Sequence, residues 1–132
     1  MTARTFRRIA VGVIALHSVV LGAAMLFCPV WTLEMFGWKY NGPTFFPSQS
    51  GVLLLLLGIS YVGGIYHLPF AFFLVLSKAS AVAFLVTQYF TNEEEGLILE
   101  SATIDAIMGL VVGIALVMEY RQRRKNREGD HK

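Results

Sequence analysis

Four long apolar runs follow one another along the chain, at residues 9–28, 48–66, 69–90 and 97–118. Each is close to the roughly 20 residues that a helix needs to cross a bilayer. Between the second and third runs, His67-Leu68-Pro69 leaves room only for a tight helical hairpin. Residues 91–96 read as a second tight turn, and 119–132 as a polar basic tail. The pattern predicts one all-α transmembrane domain over residues 1–132, an integral membrane four-helix bundle.

Between the first two runs lies a segment of different character. Residues 29–47 interleave Trp31, Phe36, Trp38, Tyr40, Phe45 and Phe46 with Glu34, Lys39 and Asn41. Aromatic rings with polar tips settle at the headgroup level, so this is an interfacial cap, re-entrant or surface-lying, with a turn at Tyr40-Asn41-Gly42-Pro43. It either anchors the protein at the interface or lines the way into a lipophilic ligand site. Ser48, Gln49 and Ser50 read as the polar start of the second span. Within that span Gly51 and Gly58 share one side and Ser60 and Gly64 form a small-xxx-small pair, spacings that let helix backbones approach in lipid.

Charged residues inside the runs stand out against this background. Lys78 lies in the third span and Asp105 in the fourth. An ionisable group near the bilayer centre costs about 3 kcal/mol on insertion scales, so it is normally paired or faces protein or water. Measured from the turn at 91–96, Lys78 lies about 18 Å deep and Asp105 about 12 Å, at 1.5 Å of rise per residue. A lysine stem covers the difference of about 6 Å. The pair therefore either neutralises itself and sets how two helices dock, or serves a ligand or proton. Asp105, Gly109 and Gly113 follow at four-residue steps, which predicts an inward stripe with a GxxxG backbone contact. His17, Gln49, Gln88 and Glu100 complete the intramembrane polar candidates. His17 reads either as a neutral ring bonded to a hydroxyl or carbonyl, or as a proton relay.

Composition narrows the function classes. The 132 residues are 55% hydrophobic and 15% charged, too apolar for an ordinary soluble domain. A net charge of +2 hides a segregation of the basic residues to the two ends of the chain. Arg4, Arg7 and Arg8 precede the first span, six basic residues follow the fourth, and Lys39 stands alone between the first and second spans. The positive-inside rule then predicts cytoplasmic termini in an inner (plasma) membrane, with the aromatic cap and Glu93–Glu95 outside. No patch for nucleic acid is described by this distribution. The first run is longer than the 7–15 residues of a secretory apolar region, and bulky Phe27 precedes Cys28, so it reads as a membrane helix. Cys28 is the sole cysteine, which excludes an intrachain disulfide and a CxxC motif. No second histidine stands at ligand spacing, so no metal site is expected. GxGxxG, Walker, HExxH and GxSxG signatures are absent.

The layout resembles the DoxX-like group of small bacterial membrane proteins over nearly the whole chain. The resemblance rests on Gln49-Ser50-Gly51 opening a Gly-rich second span, the Pro-containing turn His67-Leu68-Pro69, Lys78 in the third span and Asp105 in the fourth. It implies a membrane partner of redox enzymes or thiol-stress systems and carries over no catalytic residue. The reading expected is a non-catalytic component that binds a quinone or lipid, or docks on a larger membrane complex. The alternative is an oligomeric proton-coupled small transporter using Asp105 or Glu100. An enzyme working through His17 or Cys28 lacks any clustered catalytic set. The partners expected are the lipid bilayer and a membrane protein or further copies of the chain.

Overall fold

A computed structural model describes residues 2–92 and 97–129. They form five helices and, among the described residues, no strand: α1 Ala3–Phe27, α2 Pro29–Met35, α3 Phe45–Tyr66, α4 Leu68–Asn92 and α5 Leu97–Gly129. All but α2 are long and apolar enough to cross a membrane. The expected turn at 91–96, with Glu93–Glu95, lies largely outside the described residues.

Three boundaries differ from the sequence reading. α1 begins at Ala3 rather than residue 9, because Thr2 caps it by accepting from the Thr5 N–H at 3.2 Å. α3 begins at Phe45, with Pro47 in the first turn, where a missing N–H breaks no helical bond. Ser48, Gln49 and Ser50 therefore lie within the helix, and Ser50 Oγ donates to the Phe46 carbonyl at 3.0 Å instead of capping an end. α5 continues as a helix into the basic tail, as far as Gly129. Pairs four residues apart, Arg123 to Glu119 at 2.7 Å and Arg124 to Glu128 at 2.9 Å, lie along that extension.

The four long helices close into an up-down-up-down ring in which α1 contacts α3 and α5, and α4 contacts α3 and α5. The α1/α3 seam is the most extensive, and glycine makes it so. A Cβ on Gly51 would stand 2.5 Å from Leu26 N, one on Gly22 2.8 Å from Leu55 N, and one on Gly58 2.6 Å from Val19 Cγ2. The pairing of Gly51 with Gly58 on one side is thus used, against α1. The expected GxxxG contact on α5 is not. Gly109 faces the Lys78 stem, where a Cβ would meet Cβ at 3.3 Å, and a Cβ on Gly113 would find nothing within 4 Å. The stripe leaves a groove where a backbone contact was expected.

Packing is layered along the bundle axis. At one end, called here the basic end, lie Arg7, Gly64 and Glu119. Next comes the apolar core, with Val11, Ile14 and Ala15 from α1, Tyr61 from α3, Ala71 and Leu74 from α4, and Val112 and Leu116 from α5. Beyond it lie Ser77, Lys78 and Asp105, and beyond these the capped end, where α2 and the aromatic loop sit.

Candidate functional site

The capped end is built by local sequence. Pro29 occupies the first turn of α2, the position that tolerates its fixed φ and lack of N–H. Thr32 Oγ1, buried, donates to the Cys28 carbonyl at 2.8 Å and holds the short helix to its own start. The helix ends in a Schellman arrangement: the Trp38 N–H donates to the Leu33 carbonyl and the Gly37 N–H to the Glu34 carbonyl, both at 2.9 Å. Gly37 supplies the left-handed residue that this stop demands, with φ at +85°. Leu33 and Trp38 stand at the two positions whose side chains meet in such a motif. Beyond Trp38 the chain bends at Gly42, where Tyr40 Oη donates to the Pro43 carbonyl at 2.7 Å.

Leu33, Phe36 and Trp38 roof a chamber of about 240 Å³. Its walls are Leu21 and Met25 of α1, Leu54 of α3 and Ile104 of α5, and its polar groups are His17, Ser18, Ser101, Lys78 and Asp105. Lys78 Nζ donates to Asp105 Oδ1 at 2.5 Å, with the lysine buried and 21% of the aspartate side chain still exposed. The meeting follows the depths of the two residues in their helices. Behind the pair, Tyr61, 1% exposed, shares a 2.6 Å hydrogen bond with Ser77, the neighbour of Lys78. This bond ties α3 to the helix that carries the lysine. Where His17, Ser101 and Ile104 remain exposed, the chamber opens between α1 and α5.

The arrangement offers N–H donors of Lys78 and His17, a carboxylate and the hydroxyls of Ser18 and Ser101 beside apolar walls. Its volume falls below the range of about 300–1,000 Å³ that encloses a drug-sized ligand. A ring or headgroup fits within it, and a long tail would have to leave through the side opening. Among the described residues no group of three His, Cys, Asp or Glu side chains is placed to hold a metal ion.

The other candidates fall elsewhere. His17 lines the chamber, exposed, and makes no hydrogen bond with a described residue, so neither hydroxyl nor carbonyl engages it. Gln49 and Glu100 are exposed near the first turns of α3 and α5, and neither lines the chamber. Gln88 lies partly buried farther along α4, also outside it. Cys28 is exposed at the α1/α2 junction.

A second buried charge site went unread in the sequence. Arg7, 2% exposed, donates through Nε to Glu119 Oε2 at 2.7 Å and through Nη1 to the Gly64 carbonyl, with the Ile65 carbonyl at 3.5 Å. Arg123 Nη2 adds 2.7 Å to Glu119 Oε1, and Arg4 Nε stands 3.8 Å away. Arg7 thus joins three helices and satisfies the last carbonyls of α3, which also face its charge favourably. Counting Arg7 only as a topology signal missed this. Ala3, Arg7, Val11, Ile14 and Ser18 are all buried at steps of three and four, so Arg7 continues the inward face of α1.

No family model, no curated protein and no solved structure matches the chain.

Proposed function

We propose that the chain is a small multi-pass membrane protein of the DoxX-like type that holds the polar head of a lipophilic molecule, a quinone or a lipid, at the Lys78–Asp105 pair. It acts as a non-catalytic component of a membrane redox complex, with the basic end on the cytoplasmic side of the inner membrane. The observation that carries this reading is the roofed chamber: a largely buried ion pair forms the floor of a side-opening cavity under Leu33, Phe36 and Trp38 instead of being packed over. A pair serving only to dock two helices needs no such space. Apolar walls with a few convergent polar groups are the usual make-up of a small-molecule site. His17 supports the same assignment, as a ring nitrogen donor near Lys78 that no described residue engages.

The chain has two tryptophans, and Trp38 lines the chamber while Trp31 does not. A Trp31→Phe background therefore makes tryptophan fluorescence a reporter of the roof. Titration with a benzoquinone bearing one isoprenoid unit should quench it saturably, and Ile104→Phe, which fills the side opening, should remove the saturable part. Quenching that only tracks partition into the detergent, unchanged by Ile104→Phe, refutes quinone binding in the chamber.

A further inference from the structure

The Lys78–Asp105 pair has two sides. One faces the chamber, and the other lines a groove of about 890 Å³ between α4 and α5, which runs past the pair to Val86 in one direction and to Arg121 in the other. Apart from this neutralised pair the groove is apolar until it reaches Arg121. Gly113, whose Cβ would meet open space, leaves it unfilled along the α5 wall. That wall runs 16 residues from Asp105 to Arg121 (121 − 105), about 24 Å at helical rise. One leaflet of hydrocarbon, half of the roughly 30 Å core, fits within that length and leaves the headgroup level at Arg121.

The basic lip of the groove is what identifies its occupant. Arg121 and Met118 also line a neighbouring polar pocket with Gln122, Arg124, Lys125 and Glu128. Most cations nearby are already engaged: Arg7 and Arg123 with Glu119, and Arg124 with Glu128. Arg121 and Lys125, both exposed and four residues apart on one helix, pair with no described acidic group. We propose that this groove is a binding site for an anionic phospholipid, its acyl chain lying against Gly113 and its phosphate held by Arg121 and Lys125. A partner helix would find no use for uncompensated charge at one end only. An anionic lipid meets both features at once, and a neutral lipid meets only the groove. This assignment is independent of what occupies the chamber.

The test is native mass spectrometry of the full chain in detergent, with dioleoyl phosphatidylglycerol or dioleoyl phosphatidylcholine added at equal concentration. Phosphatidylglycerol should be retained preferentially. Arg121→Gln and Lys125→Gln should each lower its retention about fivefold, the factor that corresponds to about 1 kcal/mol per basic residue at an anionic surface. Phosphatidylcholine retention should not change in these two variants. Gly113→Phe should abolish phosphatidylglycerol retention while melting like the wild type, and Val117→Trp, at an exposed lining residue between Gly113 and Arg121, replaces it if it melts early. Soluble glycerophosphoglycerol should not displace the lipid. Equal retention of the two lipids overturns the proposal, as does full phosphatidylglycerol retention in the filled-groove variants. So does a dimer that Gly113→Phe dissociates, since a second copy would then be the occupant.

Discussion

Arg7 near the start of α1 and Glu119 toward the end of α5 form a 2.7 Å ion pair with both side chains almost wholly buried, and Arg7 also engages the Gly64 carbonyl that α3 leaves unpaired. Removing one partner of a buried pair strands the other and typically costs about 3–5 kcal/mol. In Arg7→Met the carboxylate keeps Arg123 while the Gly64 carbonyl loses its donor, so the loss in detergent melts should be smaller, about 1–3 kcal/mol. Arg123→Gln, which removes a half-exposed partner of the same carboxylate, should cost under about 1 kcal/mol. Equal melts for the two variants would contradict the role given to Arg7.

Close backbone approach is tightest in the α1/α3 seam, and glycine substitutions separate it from the α4/α5 interface. Gly51→Ala drives a Cβ into the Leu26 and Gly22 backbone and should cost about 1–3 kcal/mol, as overpacking does. Gly113→Ala has open space and should be neutral or stabilise by up to about 1 kcal/mol from helix propensity. The reverse order in thermal melts would restore the α5 stripe as the packing face.

Several of these features are legible before any coordinates. Apolar run lengths give the four spans, Gly51 and Gly58 give a close seam, and the depths of Lys78 and Asp105 bring them together. Other features depend on which neighbour a face meets, which spacing alone does not specify. Gly109 and Gly113 have the spacing of a contact, but α4 presents the Lys78 stem and then leaves open space. Arg7 looks like a flanking charge only while the helix is taken to start after it. The roof is hidden for another reason. Its Schellman stop needs Gly37 read as a left-handed residue at the end of a one-turn-plus helix that hydropathy does not reveal.

That stop gives a sharper test of the roof. Gly37→Ala places a Cβ on a residue at φ +85°, which costs roughly 1–2 kcal/mol for a left-handed L-residue, although nothing lies within 4 Å to clash with it. Ligand affinity at the chamber should fall about tenfold while the melt of the helical bundle changes little, since the roof is a minor part of the fold. Unchanged affinity would mean that Leu33 and Trp38 do not shape the site.

A cytoplasmic basic end is the orientation proposed from the positive-inside rule. A reporter active only outside the cytoplasm should give signal when fused after Phe46 and none after Gly129. Activity at Gly129 would invert the topology.

The claim on which the functional reading rests is that Lys78 and Asp105 are the floor of a binding chamber and not only a helix clasp. The measurement is a double-mutant cycle of Lys78→Met and Asp105→Leu, with melts and saturable quinone quenching of Trp38 read on the same four proteins in the Trp31→Phe background. Each single change should destabilise by about 3–5 kcal/mol, and the double variant should recover most of that stability because neither charge is stranded. Saturable quenching should stay absent in the recovered double variant. A double variant that is stable and still binds quinone like its parent would show that the pair only neutralises itself, and the chamber floor would be no binding site.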